Sequence, residues 1–258
     1  MAEIHPTAFV EDGAILAPDV VVGPFVFIGR EVELGSGVEI GSHATLIGRT
    51  RVGAESRIFP HACLGGEPQH QAFDGEATRL EIGLHTIVRE HVTIHVGTSS
   101  GGGCTRLGDD NFIMNNAHVG HDCQIGSHTI IAPFCGLGGH VQLDDFVVLG
   151  AYTGVHQHVR VGESVMAAGG TKLALDAPPF TMVAGDRARL VGLNSVGLRR
   201  RGFSDKTRAQ LKHAFHLIFQ SKLLLADALA RVDEEVGGVP EVERMVSFLR
   251  KTERGFCR

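Results

Sequence analysis

Aliphatic residues recur at every sixth position along most of this 258-residue chain. The run opens with Ile4, Val10, Leu16, Val22, Ile28 and Leu34, and continues through Ile40, Leu46, Val52, Ile58 and Leu64. It resumes at Ile82, Val88 and Ile94, and again from Leu107 through Ile113, Val119, Ile125, Ile131, Leu137, Leu143, Leu149, Val155 and Val161 to Ala167 and Leu173. Glycine often follows, as in Val22-Gly23, Ile28-Gly29 and Ile40-Gly41. A spacing of six matches neither the 3.6-residue period of a helix nor the two-residue alternation of an open strand. It does match a short strand and a tight turn, repeated three times around a triangular coil. Each aliphatic side chain then stacks inside on its equivalent one coil away, as Ile4 on Val22. No hexad buries its apolar face alone, and stacking makes one continuous column. The expected fold is all-β: a parallel β-helix of about ten coils.

Two interruptions punctuate the repeat. Residues 66–79 lose the pattern and should leave the prism as a loop. The step from Ile94 to Leu107 is out of register and contains the glycine-rich stretch Gly97 to Gly103. Insertions in solenoids commonly become binding loops or subunit contacts. Pro178-Pro179 should end the hydrogen-bonded ladder, which bounds a β-helix domain at 1–180. An irregular connection is expected over 181–203. A helical domain should follow over 204–258, with Ser204 as a helix cap and Leu211, Ala214, Phe215, Ile218 and Phe219 on one face. A second helix carries Leu225, Leu229, Val232 and Val236 up to Gly237-Gly238. A third starts near Pro240.

Composition excludes several classes. The formal charge is -5, against the basic surplus usual for nucleic-acid binders. Five cysteines without a CxxC pair argue against a disulfide framework or a four-cysteine zinc site. The N-terminus lacks a basic stretch followed by an apolar run, and no window resembles a membrane helix. The expectation is a soluble, cytoplasmic protein with no nucleic-acid partner and no membrane insertion. The absence of tryptophan suits a prism too narrow for large rings.

The middle coils concentrate histidine at His91, His95, His118, His121, His128, His140, His156 and His158, more than a bare scaffold requires, although any one of them alone reads first as a solvated turn residue at a coil corner. In His118-Val119-Gly120-His121-Asp122 a carboxylate adjoins the second imidazole, where it can fix the tautomer of a neutral general base. A metal site is the competing reading, but the spacing is neither His-Glu-x-x-His nor a Cys/His module. His121 and Gln157 each lie two residues after a column residue, two coils apart, so both should occupy one corner; His140 lies close to it. A cleft between subunits at such a corner suits an elongated substrate.

Several segments together carry a family resemblance: Ile87 to Thr98, Asn116 to Cys123, Gly139-His140-Val141, Val155-His156-Gln157 and Arg200 to Ser204. The chain resembles the UDP-N-acetylglucosamine O-acyltransferases that begin lipid A, and hence lipopolysaccharide, biosynthesis. The resemblance extends over essentially the full length. It implies a left-handed coil, a homotrimer, no cofactor and no catalytic metal. It implies transfer of a 3-hydroxyacyl chain from acyl carrier protein to the glucosamine 3-hydroxyl of the UDP-sugar. By the same resemblance His121 is the general base, Asp122 its orienting carboxylate and the Gly139 N–H the oxyanion donor. Gln69, His118, His140, His156 and Gln157 contact substrate. His95, Asn194, Arg200 and Arg201 serve the nucleotide, its phosphates or the carrier, and Gly169 measures the acyl chain.

The chain departs from the family at two places. An Asp-Leu-Lys-Tyr segment of familiar members is here His70-Gln71-Ala72-Phe73, and Val196 stands where many have glutamate. These changes touch substrate contacts rather than the base. They leave open N-acylation of a 3-amino UDP-sugar and a diverged role in another surface-glycan pathway. A trimeric scaffold or carrier-binding module without turnover is the non-enzymatic alternative.

Overall fold

The computed structural model describes residues 1–258. Its first part is the parallel β-helix that the hexads predict. Mostly two-residue strands line three faces of 11, 9 and 8 strands. Along the first face Ile4 pairs with Val22 and Val22 with Ile40, the 18-residue register of one coil. The inward residues, among them Ile28, Leu46, Ile94, Ile131 and Leu137, are almost wholly buried and merge into one cluster of 43 residues. Burying each such side chain stabilises by about 1.5–3 kcal/mol, and the column has no break along the prism.

The corners explain the histidines. A coil turns in two residues, and at most corners the second lies in the left-handed region of backbone space. That residue is His43, His61, His85, His91, His128, His140 or His158 at seven corners, with φ between 51° and 63°. Asn, Asp and His tolerate this conformation better than most side chains. His43, His61 and His91 stack as a ladder, with ring centroids 4.9 Å apart and planes within 5° of parallel. Much of the histidine excess is therefore scaffold, as the reading of an isolated corner histidine as a turn residue expects.

Both excursions leave from the corner between the second and third faces. Leu64 pairs with Ile94 and Ile94 with Val119, spacings of 30 and 25 where an uninterrupted coil has 18. The excursions thus add 12 and 7 residues and occupy 67–78 and 97–103; Gly66 and Arg79, expected in the first loop, are strand ends. Glu76 joins the loops, its Oε1 accepting from the Ser99 N–H at 3.2 Å and from the hydroxyl at 3.1 Å.

The prolines do not stop the prism, and 181–203 is not irregular. Pro179 occupies a corner position, and the Phe180 N–H reaches the Glu163 carbonyl at 2.7 Å as equivalent corner residues do. Thr181–Ala184 then rejoins the first face in parallel, and Arg189–Leu193 returns antiparallel. A short helix, α1 (Ser195–Arg200), leads to α2 (Asp205–Phe219), α3 (Leu225–Val236) and α4 (Pro240–Arg250). The Ser204 hydroxyl caps α2 by accepting from the Thr207 N–H at 3.0 Å. Phe180 sits in the helical core with Leu211, Val232 and Met245. Glu163 clasps the two parts, taking Arg201 and Arg244 at 2.8 Å each. Near the C-terminus, Gly255 and Cys257 pair with Asp176, extending the third face. No helix is long and apolar enough to cross a membrane.

Candidate active site

The corner that emits both loops also carries His121-Asp122, Gly139-His140 and Gln157-His158 on its next three coils. Asp122 takes the left-handed corner position, with φ 60°. That geometry turns its side chain beneath the 97–103 loop, where it is fully buried. Three donors satisfy the carboxylate. The Thr98 N–H reaches Oδ1 at 2.9 Å, the Thr98 hydroxyl reaches Oδ2 at 2.7 Å, and His121 Nδ1 reaches Oδ2 at 2.8 Å. Gly101 packs directly over it; a Cβ there would lie within 2.4 Å of three carboxylate atoms. The glycine-rich loop is thus a lid on a buried anion.

A carboxylate only accepts, so Nδ1 of His121 carries the proton and Nε2 offers a lone pair. His121 is 13% exposed and is flanked edge-on by His70 at 5.2 Å and His140 at 5.1 Å. A Cβ added to Gly139 would come within 2.6 Å of His121 Nε2, so only glycine fits beside the ring. The Gly139 N–H has no acceptor within the chain. A proton acceptor, a free N–H donor and a buried carboxylate therefore lie together at one corner. The set can remove a proton from a nucleophile while stabilising negative charge beside it.

Burial favours the neutral form of three neighbouring imidazoles, His95, His118 and His140. Burial pushes His95 well below its ordinary value of 6.5 to about 4, assisted by His118 and His121. Burial, then the His121 charge, lowers His118, and burial lowers His140. His118 Nδ1 bonds the Thr93 hydroxyl at 2.8 Å, whereas His95 Nδ1 is buried without a partner. His140 stacks on His158 at 4.3 Å. His156 and Gln157 are exposed on the outer coil, and the Arg254 guanidinium lies 3.2 Å from His156 Nδ1. Gln69 is exposed on the first loop. A cleft of about 900 Å³ opens beside the corner over the third face, lined by Asp122, His140, His158, Gln124 and Arg160 among others.

The remaining candidates lie apart. Asn194 is buried, its Oδ1 capping α1 through the Gly197 N–H at 3.0 Å and its Nδ2 donating to the Ser164 carbonyl at 2.9 Å. Arg201 is committed to Glu163 and the Ser164 hydroxyl, with its guanidinium 3.5 Å from the Phe146 ring centroid. Arg200 is exposed and makes no ion pair. Gly169 is exposed, at a corner on the far side of the second face. Thr98, Thr93 and Ser99 support the site but were not read from sequence. The only available signal was their position in or beside a glycine-rich break, which does not reveal which coil they meet.

Two family models match the chain: the second domain of UDP-N-acetylglucosamine O-acyltransferase over residues 176–257, and the six-repeat bacterial transferase hexapeptide over residues 104–139. An acyl-[acyl-carrier-protein]–UDP-N-acetylglucosamine O-acyltransferase of Anaeromyxobacter sp. (strain Fw109-5) is 49% identical over 255 residues, 99% of each chain. A protein of the same description from Verminephrobacter eiseniae is 44% identical over 262 residues, covering both chains fully. The crystal structure of a UDP-N-acetylglucosamine acyltransferase from Bacteroides fragilis superposes with a TM-score of 0.96 at 38% identity, covering 99% of this chain and 100% of that one.

Two outcomes follow from the site's electrostatics. Thr98→Val removes one donor from a buried carboxylate and should cost about 1–3 kcal/mol in equilibrium denaturation; an unchanged midpoint would mean that the hydroxyl contributes nothing to holding Asp122. His95 gives a pH dependence of definite sign. Unfolded, it takes a proton near 6.5, whereas folded it does so only near 4. Between those values the unfolded state binds more protons, so stability falls as pH falls. The melting temperature should drop between pH 7 and 5, and His95→Gln should reduce that drop. Equal drops in both proteins would exclude His95 as a contributor.

Proposed function

The chain belongs to the UDP-N-acetylglucosamine O-acyltransferase family, and on that premise we propose that it transfers an acyl chain from acyl carrier protein to UDP-N-acetylglucosamine, the first step of lipid A biosynthesis. The acyl group is a 3-hydroxyacyl chain and the acceptor is the glucosamine 3-hydroxyl. The observation that carries the mechanism is the 2.8 Å bond from His121 Nδ1 to a carboxylate held by Thr98, with the Gly139 N–H beside the ring.

An alcohol is a poor nucleophile at neutral pH. His121 Nε2 takes its proton as the oxygen attacks the thioester carbonyl carbon, and the buried Asp122 carboxylate stabilises the imidazolium so formed. Charge gathering on the carbonyl oxygen meets the Gly139 N–H. Collapse of the tetrahedral intermediate breaks the carbon–sulfur bond, and His121 returns the proton to the departing sulfur. His118 and His140, kept neutral by burial, act as hydrogen-bonding groups toward the sugar rather than as cations. Gln69, His95, His156 and Gln157 complete the substrate contacts, and Gly169 leaves room for the acyl end.

These groups lie on an outer corner of one prism, which supplies one wall of a cleft. A homotrimer of the 27.6-kDa chain supplies the other wall. Arg199, Arg200, Lys206 and Lys212 are exposed cations within one short stretch of the chain and are the groups offered to an acidic carrier.

His121→Ala should lower turnover on the order of 10²-fold or more without unfolding the chain, and Asp122→Asn should cost less. The measurement is product mass from carrier-bound donor, with UDP-N-acetylglucosamine and a 3-amino analogue as acceptors. Half or more of the normal rate in folded His121→Ala would overturn the base assignment, and product only from the amine would replace O-acylation by N-acylation. Arg200→Glu should weaken use of carrier-bound donor, with a defect that shrinks as salt rises. An unchanged KM for the carrier at low salt would remove Arg200 from the docking surface. Arg201 is unsuited to this test because its guanidinium holds the helical domain to the prism.

A further inference from the structure

His121 and the two imidazoles that flank it have a second chemistry available. His70, on the first loop, and His140, on the next coil, both approach His121 edge-on, with interplanar angles of 73° and 87°. Edge-on rings can turn their nitrogens toward a common point, which the face-stacked ladder of His43, His61 and His91 cannot. Ligand atoms of His121, Asp122 and His140 already lie within 4.8 Å of one another, and His140 Nε2 is 3.9 Å from Asp122 Oδ2. The Nδ1 bond to a carboxylate that prepares His121 Nε2 as a base is also the arrangement that orients histidines on zinc. His70 is exposed on a loop and can move onto an ion without disturbing the prism.

We propose that His70, His121 and His140, backed by Asp122, form a binding site for zinc(II) or a similar borderline divalent ion, and that filling it switches the base off. Three nitrogen ligands with a position left for water suit tetrahedral zinc. The ion occupies the lone pair of His121 Nε2, so the imidazole can no longer accept a proton. This is an inhibitory site and takes no part in acyl transfer. The donors come from a loop and two successive coils, so no sequence spacing reveals them.

The test uses the full chain, stripped with a chelator and titrated with Co²⁺ as a coloured stand-in, with Zn²⁺ as competitor. The result expected is one equivalent bound per chain, with a tetrahedral cobalt spectrum that zinc abolishes. His70→Ala and His140→Ala should each weaken binding by about tenfold or more. His128→Ala is the control, because His128 and His85 flank exposed Asp110 at 3.7 and 3.5 Å in the other surface cluster that resembles a ligand set. In the acyl-transfer assay zinc should lower turnover, a chelator should restore it, and His70→Ala should need about tenfold more zinc for half-inhibition. Absence of saturable binding would overturn the proposal. So would binding that survives in both His70→Ala and His140→Ala, or that is lost in His128→Ala. The cobalt titration reads the site whether or not the acyl-transfer assignment holds.

Discussion

The two-residue corner is the constraint on which this molecule depends. Three strands must close a triangle every 18 residues, and the chain has only two residues in which to turn at each vertex. The second mostly takes the left-handed conformation, which is free of steric penalty only for glycine and here falls to histidine, asparagine and aspartate, and also to the aromatics Phe25, Phe134, Phe146, Tyr152 and Phe180. Once those residues are in place, parallel backbone bonding keeps every coil in register, and the inward aliphatic residues meet their equivalents above and below. Asp122 is one of these corner residues. The turn that closes a coil therefore also directs a carboxylate under the adjacent loop.

The site is assembled by stacking rather than by local sequence. His121 receives its carboxylate from the next residue, but the groups that hold that carboxylate belong to the coil below, and the N–H beside the ring belongs to the coil above. Burial lowers His95, His118 and His140 toward the neutral form, so the proposed base has dipoles rather than cations at those three positions. A pocket of like positive charges would oppose the imidazolium that forms on proton transfer. Neutral neighbours do not.

Much of this was legible from residues alone. The six-residue period specifies the prism, its inward column and the interruptions, because a three-sided coil of short strands returns a side chain to the interior at every sixth position and neither a helix nor an open sheet does. The His121-Asp122 pair and Gly139 were legible through local chemistry and family resemblance. The histidine count did not discriminate, since a residue type that suits a left-handed corner accumulates there without any catalytic role; the carboxylate next to His121 is what set that residue apart. Pro178-Pro179 misled for a related reason: a corner position needs no ladder donor, so proline continues the coil instead of ending it. Thr98 and His70 were out of reach as supports of the base. Their partners lie in a coil reached through loops of 12 and 7 inserted residues, and nothing local encodes where such a loop lands.

The two loops leave the same edge yet differ in how freely they can change. The longer one touches the base only through His70 and is moored to its neighbour through Glu76. Its tip can be rewritten, and the substitutions at His70 and Ala72 fall there. The shorter one supplies both Thr98 donors to the buried carboxylate and the glycine above it. Any alteration in its length would shift the support of the base itself. Evolution of substrate range in such a chain is therefore channelled: the outer loop can drift while the inner loop is held in place by the buried carboxylate it covers.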